Sequence, residues 1–146
     1  MKKINSRQFL QMRCLGLSVL VIILDQVLKY KIRLSGGFYV CNSDISFNLH
    51  VSFLFIWLVF TFLALFSLLI YLLFKKNSKI GRVAAIGLSL ILAGASSNIL
   101  DRIFFGCVFD YINLFKSFFP IFNLADLAIF MGSFLIIVHL FKPRDL

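Results

Sequence analysis

The sequence predicts an all-α membrane protein with four transmembrane helices and a small extracytoplasmic β-platform and loop. Three observations lead there. Hydrophobic residues make up 61% of the 146 and charged residues only 14%, giving a mean hydropathy of +0.99, outside the balance of a water-soluble domain. The apolar residues fall into four runs of about the length that a helix needs to cross the hydrocarbon core. Basic residues flank those runs instead of forming a stripe, so the net charge of +9 reads as topology information and not as a nucleic-acid surface.

The first run, 14–32, is interrupted by Asp25, Gln26 and Lys29. It starts like a secretory signal, but no small-x-small cleavage site appears before the basic stretch from Lys29 to Arg33, so it is expected to remain as a permanent span. Arg13 and Met12 directly before Cys14 make a poor lipid-attachment signal, and the chain is not expected to be a lipoprotein itself. The second run, 51–74, contains no charge. The third, 83–105, carries Gly94, Ser96, Ser97 and Asn98 and ends in Asp101 and Arg102. The fourth, 123–141, has Asp126 in its first turn.

Ten basic residues (Lys2, Lys3, Arg7, Arg13, Lys75, Lys76, Lys79, Arg82, Lys142 and Arg144) fall on one side of these runs and five (Lys29, Lys31, Arg33, Arg102 and Lys116) on the other. The bias predicts cytoplasmic N and C termini and places Asp101, Asp110 and Asp126 toward the extracytoplasmic face. The outer connections are then 34–50 and 106–122. In the first, Phe38–Val40 and Ile45–Phe47 read as two small strands around the turn residues Asn42, Ser43 and Asp44. Cys107–Ile112 reads as another short extended piece that presents Asp110 on one face. With no repeats or linkers, the economical organisation is one integral-membrane domain over 1–146.

Cys14, Cys41 and Cys107 are odd in number and widely spaced. They show neither metal-ligand spacing nor a disulfide framework, and are expected as small buried or interfacial side chains. His50 and His139 lie near opposite ends of their runs and are expected to be structural; no metal site, serine–histidine–acid order or phosphate-binding glycine loop is present.

An ionisable group at membrane depth is a functional candidate by default. Asp25 and Lys29, four apart, share a helix face: they form a structural ion pair, or Lys29 snorkels outward, or the pair supports a site. Gly94, Asn98 and Asp101 line one face of the third helix, suited to close packing and an interhelical hydrogen bond. Asn123 and Asp126 have the spacing of a helix cap with its reciprocal acid. Asp110 and Asp126 are joined by a loop long enough to bring them together. Two adjacent carboxylates sharing a proton would supply the base and the acid needed to activate water and protonate a leaving amine. Spacing alone leaves a protease, a transport subunit and a structural bundle all open.

Five segments then follow in order along nearly the whole chain: Asp25-Gln26 with Lys29; the outer segment from Asn42; Asn98-Ile99-Leu100-Asp101-Arg102; Gly106-Cys107-Val108-Phe109-Asp110-Tyr111; and Phe122-Asn123-Leu124-Ala125-Asp126. Together they resemble the bacterial lipoprotein signal peptidase (signal peptidase II) family. The resemblance implies an aspartic endopeptidase of the bacterial inner membrane, with Asp110 and Asp126 as the catalytic pair. It would cleave the signal peptide of a diacylglyceryl-modified prolipoprotein immediately before the lipidated cysteine. It further implies Asn98, Arg102 and Asn123 as substrate-positioning or supporting residues, Asp25, Lys29 and Asp101 as structural polar residues, and no metal or organic cofactor. The expected partners are the prolipoprotein and membrane lipids, and the expected working unit is a monomer. The chain departs from the family pattern at Asp44 and Ser46, where glycine and alanine are usual. It departs again at Ser97, a glycine in the family, where added bulk is expected on a close-packing face. The competing expectation is a non-catalytic four-span protein, or an inactive divergent relative, serving transport or scaffolding, with Asp110 on a loop surface.

Overall fold

The computed structural model describes residues 6–43, 81–114 and 120–141. They form, in order, α1 (Ser6–Leu34), β1 (Val40–Asn42), α2 (Arg82–Phe105), β2 (Val108–Asp110) and α3 (Leu124–Phe141). The apolar run 51–74, Asp44, Ser46, His50 and the strand expected at Ile45–Phe47 lie outside the described residues.

α1 and α2 are each long and apolar enough to cross a membrane, and α3 is a shorter apolar helix. α1 begins at Ser6, upstream of the apolar run, and Arg13 within this extension lies 4.3 Å over the ring of Phe9. α2 ends at Gly106, whose φ of 74° places it in the left-handed region and whose N–H closes on the Arg102 carbonyl at 3.0 Å. A side chain there would be strained, so the residue that stops the helix also turns the chain into β2.

The helices pack through small residues. A Cβ on Gly94 of α2 would overlap the Ala125 carbonyl oxygen of α3, and one on Gly132 would stand 2.5 Å from the Gly87 carbonyl oxygen. Backbone therefore lies on backbone, which is how helices associate where lipid removes the hydrophobic drive between them.

Polarity is inverted relative to a soluble fold. Leu15, Val19, Leu20, Ile23, Leu24 and Phe130 are exposed, whereas Asp25, Lys29, Ser97, Asn98, Asp101 and Asn123 are buried. Such an apolar exterior is unfavourable in water and neutral against acyl chains, while the polar groups satisfy one another inside.

β1 and β2 pair antiparallel with Val40 opposite Asp110, Cys41 opposite Phe109 and Asn42 opposite Val108. β1 therefore sits later than the strand expected at Phe38–Val40, and Asn42 belongs to it and not to the turn. The cysteine reading is also corrected: Cys41 and Cys107 form a disulfide across a sequence separation of 66, and only Cys14 is free. Strand pairing creates that proximity, and nothing in the cysteine spacing encodes it. Beyond β2, an antiparallel bridge joins Ile112 to Phe122, with Phe122 N–H donating to the Ile112 carbonyl at 3.1 Å. This bridge returns the chain to the start of α3 beside Asp110.

Candidate active site

The site is built on the N-terminus of α3, where four backbone N–H groups lack partners within their own helix. Each finds one. The Leu124 N–H donates to the Tyr111 hydroxyl at 3.3 Å, Ala125 to Asp25 Oδ1 at 3.1 Å and Asp126 to Asn123 Oδ1 at 2.9 Å, while the Leu127 N–H, on the Asn123 carbonyl at 3.2 Å, opens the helix's own ladder. Asn123 N–H donates in return to Asp126 Oδ2 at 3.1 Å. Asn123 and Asp126 thus form a reciprocal capping box, and the cap does not exhaust either side chain.

The spare capacity of Asn123 reaches Asp110. Its Nδ2 donates to Asp110 Oδ1 at 2.7 Å and to Asn98 Oδ1 at 3.2 Å. Asn98 Nδ2 donates to Asp126 Oδ1 at 2.7 Å. One buried asparagine therefore bonds both aspartates, and a second secures Asp126 from α2. Asn42 Nδ2 completes the set on Asp110 Oδ2 at 3.1 Å.

Lys29 sets the orientation of these amides. It is 1% exposed, so it does not snorkel. Its ammonium donates to Asp25 Oδ2 at 2.7 Å, Asp101 Oδ2 at 2.6 Å and Asn98 Oδ1 at 3.0 Å. An ammonium only donates, so the Asn98 carbonyl must face it and the Asn98 NH₂ must face Asp126. The same logic passes through Asn98 Oδ1 to Asn123. Gln26 Nε2 bonds Asp101 Oδ1 at 2.8 Å, and the Ser97 hydroxyl donates to Asp25 Oδ2 at 2.7 Å. Ser97, expected to add bulk to a packing face, is fully buried, and its hydroxyl donates to a carboxylate.

Burial pushes the Asp110 carboxyl above its ordinary value of 3.8. Hydrogen bonds from Asn42 and Asn123 and the charge of Lys29 pull it down, and the charge of Asp126 pushes it up. Burial pushes the Tyr111 hydroxyl up to about 12, so it is a neutral donor and acceptor pinned between α3 and Asp25. Arg102 lies half-buried with Asp126, Asp110 and Asp101 as its charged neighbours. Its Nη1 donates to the backbone carbonyl of Asn98 at 3.4 Å, and its Nε has no partner among the described residues.

The structure therefore brings together Asp110, Asp126, Asn98, Asn123 and Arg102, with Asp25, Lys29 and Asp101 directly beneath them. Asn42 stood out in the sequence only as a turn residue and as the start of a motif segment, and Tyr111 only as part of a motif. An asparagine on a strand next to a carboxylate has no periodic signal. Among the described residues no cluster of potential ligands for a metal ion occurs.

A profile of the family described as signal peptidase (SPase) II matches residues 17–142. A lipoprotein signal peptidase of Psychromonas ingrahamii is 35% identical over 152 aligned positions, covering 92% of this chain and 87% of that protein. One from Staphylococcus aureus is 34% identical, with 88% of each chain covered. A bacterial membrane enzyme solved by the in meso method at 1.9 Å resolution superposes with a TM-score of 0.74 at 28% identity, covering 90% of this chain and 94% of that one. With its paired aspartates mounted on a helix start and a short strand, the chain belongs to the signal peptidase II family.

Proposed function

We propose that this protein is a membrane aspartic endopeptidase that removes the signal peptide of diacylglyceryl-modified prolipoproteins, cutting immediately before the lipidated cysteine. It works as a single domain of four spans in the bacterial inner membrane, with cytoplasmic termini and its site toward the extracytoplasmic face. The observation that carries the reading is Asn123, one buried residue whose side-chain amide donates to the Asp110 carboxylate and whose backbone N–H donates to the Asp126 carboxylate.

Two carboxyls in this setting favour sharing one proton, because ionising both sets like charges side by side. Burial biases that proton toward Asp110. Asp126 takes a proton from water as the water attacks the scissile carbonyl, and Asp110 hydrogen-bonds the developing oxyanion. The proton then passes to the departing amine, and the C–N bond breaks. Asn98 and Asn123 keep the carboxyls in register, and Arg102 supplies a fixed positive charge beside the intermediate. The chemistry needs no cofactor. The non-catalytic alternative places Asp110 on a loop surface, yet Asp110 is only 4% exposed.

The test is cleavage of a prolipoprotein, with and without its diacylglyceryl group, by purified wild-type, Asp110→Asn and Asp126→Asn enzymes in detergent. Each variant is expected to lose about 10³-fold or more in kcat with folding intact, and the unmodified precursor to be a poor substrate. Cleavage retained by either variant removes the paired-aspartate assignment.

A further inference from the structure

The two outer segments are joined beside Asp110 by a short ladder and by the Cys41–Cys107 disulfide. The ladder has three residue pairs, and a two-stranded ribbon of that size is marginal by itself. Asn42, the residue after Cys41, donates to Asp110 Oδ2 at 3.1 Å. Cys107 is 2% exposed. Cys41 is exposed and lines a recess of about 310 Å³ together with Val40, Asn42, Asp110, Pro120 and Ile121. One covalent link therefore anchors both the donor on Asp110 and the wall of the recess that opens on it.

We propose that Cys41 and Cys107 are positioning residues for the peptidase reaction: closed, their disulfide holds Asn42 on Asp110 and keeps the recess in shape, and opened, it releases both. The inference rests on the peptidase reading above. The charge bias that places these segments outside the cytoplasm also places the pair where disulfides persist.

Opening is a balanced exchange. A thiolate of an added dithiol such as dithiothreitol attacks the exposed Cys41 sulfur, the S–S bond breaks, and Cys107 leaves as a thiolate that takes up a proton. The second sulfur of the reductant then displaces the Cys41 thiol, and the reductant ends as its cyclic disulfide, having passed two electrons to the protein.

The charged neighbours of Asp110 are Asp126 of α3, Lys29 of α1 and Arg102 of α2, and the Asn42 amide is its hydrogen-bond donor from β1. The Asn42 bond favours the ionised form of Asp110, so losing it moves the titration of Asp110 to higher pH. A cross-link that served stability alone would change the amount of active enzyme and leave the pH profile of the remainder in place.

The experiment uses the full-length enzyme purified in detergent without reductant. Maleimide labelling after denaturation is expected to find one reactive thiol, Cys14, before reduction and three after it. Cleavage of the lipid-modified precursor is then followed across pH for oxidised, reduced and re-oxidised enzyme, with the Cys41→Ser/Cys107→Ser double variant beside them. Reduction and the double substitution are both expected to lower kcat by about tenfold, as for loss of a hydrogen bond to a charged group, and to shift the limb governed by Asp110 upward. Re-oxidation restores the wild type, the double variant ignores the reductant, and Cys14→Ser behaves as wild type. If the double variant does not fold, the reduced and re-oxidised wild type carry the comparison. Three reactive thiols before reduction, or matching kcat and pH profile in the oxidised and reduced enzyme, overturns the proposal. Failure of the oxidised enzyme to cleave any modified precursor would instead sink the peptidase reading on which it rests.

Discussion

Lys29 has three N–H groups and three acceptors, two of them carboxylates. Removing one partner from such a buried cluster would leave a charge uncompensated, which explains why a lysine is kept deep inside apolar sequence. Its further consequence is directional, since it fixes which end of Asn98 meets Asp126. Asp110 has a different balance, because burial outweighs its hydrogen bonds and holds the carboxyl above the ordinary 3.8. The folded state then binds this proton more tightly than the unfolded chain. Stability from this group is fully present below the ordinary value and falls as pH rises toward the folded value. Thermal melting of wild type and Asp110→Asn across pH checks this: the wild type should lose ground to the variant as pH rises through that window. A difference that is flat, or that runs the other way, contradicts the raised Asp110.

At the scale of elements, the start of α3 serves as helix cap and as mount for the site. Asn123→Ser separates the two duties. A serine hydroxyl still accepts the Asp126 N–H, so the cap is expected to weaken by no more than about 1 kcal/mol. The shorter side chain cannot donate to Asp110 and Asn98, so kcat is expected to drop about tenfold or more. Parallel loss of helix stability and activity would mean that capping is the residue's whole contribution. Capping spacing made α3's first turn legible from sequence, as did the small-residue face of α2, because both depend on residues three or four apart. The placement of Asn42 was not legible, since it depends on the register between β1 and β2.

For the whole molecule, orientation rests on ten basic residues against five, and the structure changes the weight of that comparison. Among the five, Lys29 is consumed by the buried cluster. Arg33 lies over the rings of Phe105 at 4.2 Å and Phe109 at 4.4 Å. Its guanidinium is thus held by stacking, and its basic character has a structural explanation apart from topology. The expected outcome is that a green fluorescent reporter fused to the C terminus glows in the cytoplasm, while alkaline phosphatase fused there stays inactive. The reverse pattern would invert the proposed topology. Composition and run length were sufficient to read a helical membrane protein, because lipid demands long apolar segments whatever their partners. Ordered motifs were sufficient for the family. The meeting of Asp110 with Asp126 through Asn123, the Ser97 hydroxyl on Asp25 and the Cys41–Cys107 link emerged only from the folded chain. Each joins residues on different elements, and such contacts follow from strand register and helix packing, which local spacing does not carry.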